Sequence, residues 1–405
     1  MGQALAPVDK APAIERYEAA AFNPFAASGL HYSVQRQASR VFHHEWGADP
    51  KGKVVAESVA EVQFAVGSAT HGRAYLINHD GYLFQSPITW YPQDQRWDLS
   101  PSYARNNLHF GRLITLGCLF CHCNQAEPVA HTVNRYRQPI FQGYAIGCER
   151  CHGPGELHVK RRADGEVVDG LDDSIVNPAR LDHSLREAVC QQCHLQGEQR
   201  VVARGRLEFD FRPGLPLDLF QMDFVKGGGS RDDLKFVSSV EQMVASRCYR
   251  ASEDPVKLGC ISCHDPHRLP APEEKVAYFR KRCLNCHTEK ACNLPPVQRL
   301  EKSKEDSCIA CHMPRTGSEI SHTSITDHRI PRRAEQSAPG IAPSRAPPGP
   351  SQLVPFQSDI VDLKDEEASR NYGVALVAML ERKPPEAIAR QFSYKALPLL
   401  ERALK

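Results

Sequence analysis

The pentapeptide Cys-x-x-Cys-His occurs six times, at residues 118–122, 148–152, 190–194, 260–264, 283–287 and 308–312, and nothing else restricts the chain so tightly. With 15 Cys and 18 His in 405 residues, chance would supply roughly 0.02 copies. A zinc site takes four ligands, usually from two Cys pairs, and asks for no His directly after each pair. Disulfides ask for no His at all. The spacing suits a covalently held haem c. Two thiols one backbone turn apart add across the porphyrin vinyl groups, and the next residue reaches the iron as proximal ligand. The expected thioether positions are Cys118, Cys121, Cys148, Cys151, Cys190, Cys193, Cys260, Cys263, Cys283, Cys286, Cys308 and Cys311. The proximal ligands are His122, His152, His194, His264, His287 and His312, and the cofactor complement is six haems c.

Six haems change how the composition reads. Apolar content is 41%, and 30 Pro with 26 Gly point to loops. Porphyrins would supply much of the core, so short helices and long irregular connections are expected. The formal charge of +2 carries no nucleic-acid footprint. Haem propionates would move it to roughly −4, which favours a basic redox partner. Haem c is attached outside the cytoplasm, so a periplasmic or extracellular location is expected. The start, Met1-Gly2-Gln3-Ala4, has neither a basic nor an apolar leader segment, and the signal is expected to have been removed. No run reaches membrane-spanning length.

The fold class expected is α+β with much irregular structure, in five segments. Residues 1–28 read as an Ala/Pro-rich arm. Residues 29–100 read as an antiparallel β meander, with strands at 31–37, 40–46, 53–66, 73–78 and 82–90 and turns at 49–52 and Asp80-Gly81. Residues 101–334 read as a hexahaem region of short helices, including 184–192 and 276–284, with a strand-rich insertion at 200–225. Residues 335–357 are a Pro-rich linker. Residues 358–405 read as a helical hairpin, 364–382 and 385–404, with Pro398 expected to kink or shorten the second helix. One such pair must pack back on the chain or bind another chain.

The opposite face of each iron decides between carrier and enzyme. His158 follows the turn Gly153-Pro154-Gly155, and His267 closes Asp265-Pro266-His267. His322 and His328 follow the last motif and can fold back. These four are the leading distal candidates, with His109 next and His31, His44, His71, His131 and His183 behind. Met243 is the one thioether alternative, and its plainer reading is a core residue. Outside the motifs, Cys248 and Cys292 could form a disulfide, and Cys123 reads as a free buried thiol.

The run from Cys148 through Gly155 to His158, the segment Cys263-His264-Asp265-Pro266-His267, and Cys311-His312-Met313-Pro314 with Asp327-His328-Arg329 resemble bacterial multihaem c-type cytochromes. The likeness is to the superfamily of tetrahaem nitrification carriers and hydroxylamine oxidoreductases, and is nearest to haem domains fused to tetratricopeptide repeats. The resemblance implies stacked haems with mostly bis-histidine ligation, and distal roles for His158, His267, His322 and His328. Relatives often carry a His just before the Met243 segment; here 238–243 has none.

Three functions follow. The leading one is electron transfer through six haems between redox partner proteins. The second is oxidoreduction of a small nitrogen or sulfur compound at one open haem. The third is a structural subunit of a cytochrome assembly or filament, a homo- or hetero-oligomer formed through the C-terminal helices.

Overall fold

Alternation builds the first third of the chain. In Leu30–Gln37 and Arg40–Ala48 one side of the pleat is buried, through Tyr32, Val34, Val41, His43 and Glu45. The computed structural model describes residues 4–67, 70–227, 239–254, 257–288, 292–318, 320–332, 353–358 and 360–404. In it these two strands pair antiparallel between Phe25–Ala27 and Val54–Val62 as a four-stranded sheet. A second antiparallel sheet takes Leu5–Pro7, Phe64–Val66, Ala74–His79, Tyr82–Gln85 and Arg112–Leu113 in that order. Ile88–Tyr91 and Arg96–Leu99 form a hairpin. The protein is thus mixed α+β, with antiparallel sheets, short helices and long irregular connections.

The stretch 53–66, expected as one strand, is two strands in different sheets. Gln63 makes the switch. Its amide donates to the Leu76 carbonyl and its carbonyl accepts from Val8, both at 2.9 Å. Its side chain accepts from the Asn78 amide at 2.8 Å. The stretch 82–90 divides at Ser86-Pro87, because proline has no N–H to give a ladder. The turn at Asp80-Gly81 has φ of +50° and +86°, the left-handed pair that a tight hairpin needs. A Cβ on Gly81 would lie 2.8 Å from the Tyr136 carbonyl oxygen, so this position also needs glycine for space.

The chain divides into two compact units. The first, Met1–Ile175 with Ile320–Thr323, holds both sheets and the first two motifs. Its core is aromatic: Tyr32, Tyr75, Trp90, Trp97 and Tyr103 are all fully buried, and the two indoles lie 5.2 Å apart. The second, Val176–Glu319 with Ser324–Lys405, holds the other four motifs. Two expected helices are found there as His183–His194 and Lys275–Leu284. The insertion forms strands Gln199–Val202 and Gln221–Lys226.

The C-terminal pair, Glu366–Glu381 and Glu386–Ala403, packs back on that insertion. Tyr372 stacks on Phe224 with ring centres 5.6 Å apart and donates its hydroxyl to the Leu353 carbonyl at 2.8 Å. Ala375, Leu376, Phe392 and Ala396 close the core beneath. The second helix is not cut short at Pro398 but runs on to Ala403. Pro398 is exposed, and so is Tyr394, whose carbonyl loses its helical partner because proline has no N–H. Of the Pro-rich segment 335–357, residues 335–352 lie outside the described residues. Leu353–Pro355 is a third strand on the insertion sheet.

Candidate functional site

Each motif lies on a helical segment, a short turn at the first, second, fourth and sixth and the end of a longer helix at the third and fifth. In the first unit, Leu116–Phe120 carries Cys118 and runs on to Cys121 and His122, and Glu149–His152 carries the second motif. A residue inside the second motif ties the two together. Arg150 is buried, donates to the Phe120 carbonyl at 2.9 Å, and lies over the Phe120 ring at 4.2 Å. Asn124, just past the first motif, accepts from the Gly147 amide at 3.2 Å, just before the second. Gly153 leaves the second motif at φ +73°, and Glu149 accepts from the Gly155 amide at 2.8 Å.

In the second unit the motifs adjoin one another. The helical turns of the fourth and sixth motifs both pack against Lys275–Leu284, the helix that leads into the fifth. Glu187, buried on the helix of the third motif, accepts from the Cys260 amide at 3.0 Å. A Cβ on Gly259 would lie 2.2 Å from Glu187 Oε1, so only glycine lets the two segments approach. Arg280, on the helix of the fifth motif, donates to the Asp306 carbonyl at 2.9 Å beside the sixth. Arg150, Asn124, Glu187 and Arg280 were not singled out from sequence. The one available hint was an acid among Ala188 and Val189 three residues before Cys190.

The Cys248–Cys292 disulfide is not formed. Cys123 is fully buried, as expected, and burial pushes its thiol up to about 12. Met243 is buried on helix Ser239–Ala245.

The candidate distal histidines have different settings. His328 keeps Nδ1 on the Thr326 carbonyl at 2.9 Å, and its amide donates to Gln242 at 2.9 Å. Its ring centre lies 6.3 Å from that of His264, the proximal residue of the fourth motif. His158 has Nδ1 on Asp172 at 3.0 Å and near Ser174 at 3.3 Å. His109 has Nδ1 on Glu45, and a backbone φ of +52° that Asn107 holds by accepting from the His109 amide at 2.8 Å. His322 has both ring nitrogens engaged, by Asp94 and Asp98, each at 2.7 Å. His267 is exposed beside Asp265. Among the others, His31 stacks on Trp46, His44 faces Glu57, His71 meets Gln93, His183 meets the Leu258 carbonyl, and His131 is exposed. Burial holds His122, His194, His264 and His328 toward the neutral imidazole, the form that binds metal.

Three observations test the fit to haem. The first is spacing. An imidazole nitrogen sits about 2 Å from its metal, so rings on opposite faces of one iron have centres roughly 6 to 6.5 Å apart. His264 and His328 meet that figure. The second is tautomer. A metal-bound His usually gives its other N–H to a carboxylate or carbonyl, and His109, His158, His312 and His328 all have Nδ1 so placed. The third is the core. Across the described residues of 257–318 no apolar side chain is buried, and Leu269 and Val297 are 82% and 68% exposed. Three motifs lie in that stretch. A large apolar group held by those thiols gives these side chains something to pack against.

Comparison with known proteins agrees at one place. The family model described as a doubled CXXCH motif matches residues 254–292, the span of the fourth and fifth motifs. No curated protein matches the chain, and no solved structure does. The matched motif is the one that holds haem c covalently, and it supports a c-type multihaem cytochrome in general, whose chemistry is electron transfer. Among the described residues no helix is long and apolar enough to cross a membrane.

Proposed function

We propose that this chain is a six-haem electron carrier working outside the cytoplasm. The observation that carries the reading is the stretch 257–318. It holds three attachment motifs and keeps its helical turns, yet it buries no apolar side chain among its described residues. Such a segment orders only around a partner that is itself the core. Haem bound there supplies one-electron chemistry at iron. The residues around it bind and orient: paired thiols fix each ring edge, and Glu187 and Arg280 hold neighbouring motifs in register.

The pairing of His264 with His328 favours carriage over catalysis. Two imidazoles on one iron leave no face for substrate, and such an iron changes oxidation state with little rearrangement. His109 and His158 fit the same role in the first unit. The test is spectroscopic, on the matured protein. Mass should show six covalent haems, and the reduced spectrum should be low-spin and barely altered by carbon monoxide. Fewer than six haems, or mostly high-spin iron, would end the reading.

A further inference from the structure

Three of the distal candidates differ in what stands behind the ring. In the first unit the partner at Nδ1 is a carboxylate: Glu45 behind His109, Asp172 behind His158. In the second, the exposed His267 has Asp265 at 3.6 Å, but His328 has a neutral carbonyl, that of Thr326. The proximal His312 of that unit likewise donates to the Pro331 carbonyl at 2.9 Å. We propose that this difference sets a potential step, with the haems ligated by His109 and His158 held below the haem ligated by His328. Reducing equivalents would then come to rest in the second unit. The proposal rests on the bis-histidine reading above.

The cause is second-shell charge. A carboxylate that accepts the Nδ1 proton makes the imidazole a stronger donor and puts a negative charge near the iron. Both effects favour the ferric state, so the potential falls. A carbonyl orients the ring but brings no net charge. Burial sets the size of the effect, because charge acts further where water is excluded. Glu45 is 5% exposed. Asn107 points its amide at Glu45 from 3.4 Å. No cation pairs with Glu45 among the described residues other than His109 itself. Asp172 is weaker on both counts: it is partly exposed and shared with Arg162 and Ser174. Asp327, the acid beside His328, is taken up by Arg329 through bonds of 2.9 and 2.7 Å. The order from lowest to highest should therefore be the His109 haem, the His158 haem and the His328 haem.

Spectroelectrochemical titration of the holoprotein tests this in two stages. His109→Met, His158→Met and His328→Met should each change the ligand signature of one haem in near-infrared magnetic circular dichroism, and so mark its component in the titration. The wild-type midpoints of those components should then fall in the stated order. Glu45→Gln should raise the His109 component alone, with its bis-histidine signature kept. Asp172→Asn should raise the His158 component by less, and Glu57→Gln, at the exposed acid facing His44, should move none. If His109→Met leaves every ligand signature unchanged, the ligation reading and the step both fall. If the signature changes but Glu45→Gln moves no midpoint, or the His328 component proves lowest, ligation stands and the step is wrong.

Discussion

The two units solve the same problem with opposite means. Each must hold Cys-x-x-Cys-His segments in fixed places. The first does so on a core of its own, with Trp90, Trp97, Tyr75 and Tyr103 buried between two antiparallel sheets. Its two motifs are tied to each other by polar clamps, the buried Arg150 and the half-buried Asn124. The second has apolar cores where the C-terminal helices cover the insertion sheet and where Ala188, beside the third motif, packs with Phe211, Leu217 and Phe220, but none among the described residues of 257–318. Its last three motifs hold one another through packed helical turns and the Arg280 bond to the Asp306 carbonyl, and Glu187 ties the fourth to the third. The lesson is about where folding free energy comes from. Apolar burial yields about 25 cal/mol per Å2; in the first unit the chain supplies that area, and in 257–318 the haem must supply it.

The sharpest way to break this contrast is to remove attachment. With Cys118→Ala and Cys121→Ala the first haem should be lost while Trp97 fluorescence and the sheets stay native. With Cys283→Ala and Cys286→Ala the fifth haem should be lost and its neighbours with it, opening 257–318 to protease. Limited proteolysis read by mass spectrometry decides the matter. Equal resistance in the two variants would show that 257–318 folds without its cofactor.

Core truncation should separate the units by about 3–5 kcal/mol each. Trp97→Ala removes a fully buried indole that packs on Trp90, Tyr75 and Tyr17. It should lower the unfolding transition of the first unit and leave haem content in the second unchanged. Phe392→Ala, in the core under the C-terminal helices, should do the reverse. Differential scanning calorimetry with haem stoichiometry on the same samples reads both. A single transition shifted alike by the two variants would mean that the units melt as one.

How much of this was legible in the sequence follows from the range of the signal. Strands 30–37 and 40–48 are local patterns, and alternation gives them away. The C-terminal helices are equally local, since Ala368, Tyr372, Ala375 and Leu376 share one face. The break at Gln63 is not local: it depends on Val8 and Leu76, far off in the chain. Leu353–Pro355 is three residues at the edge of a Pro-rich run, too short to show a period, and becomes a strand only against Gln221–Lys226. The motifs are legible because covalent attachment demands fixed spacing. Their clamps are not, because a buried Arg150 or Glu187 spells nothing until its partner carbonyl or amide is in place.

Acid should pull the units in opposite directions. His43 is fully buried against Tyr75 and Trp97, and burial lowers its imidazole to about 3. The unfolded chain binds the proton more readily, so stability from this group is complete above about pH 6.5 and is lost as the pH falls toward 3. The loss should be roughly 2 to 3 kcal/mol by pH 4.5, at about 1.4 kcal/mol per unit. Asp223, buried in the second unit, has the opposite sign. Burial raises its carboxyl despite Arg200, so the folded state binds the proton more readily, and stability falls as the pH rises past the ordinary carboxyl range. Between pH 6.5 and 4.5 the first unit should weaken and the second should not follow it. His43→Leu should flatten the first slope and Asp223→Asn the second; unchanged slopes would place the titration elsewhere.

The smallest expected effect tests the contrast at single helix ends. Ser307 caps the turn of the sixth motif, its hydroxyl accepting from the Ala310 amide at 3.3 Å. Thr115 stands in the same place before the first motif, yet makes no capping bond. Losing a serine cap costs about 1 kcal/mol. In the second unit that turn has no apolar packing of its own to fall back on, so Ser307→Ala should cost the full amount and speed amide exchange across 308–312. Thr115→Ala should cost close to nothing, because Leu116, Leu119 and Phe120 are buried and hold their turn in place. Hydrogen exchange on the two variants gives the ratio directly. Equal protection losses at the two motifs would show that capping, rather than the source of the core, governs how firmly a motif is held.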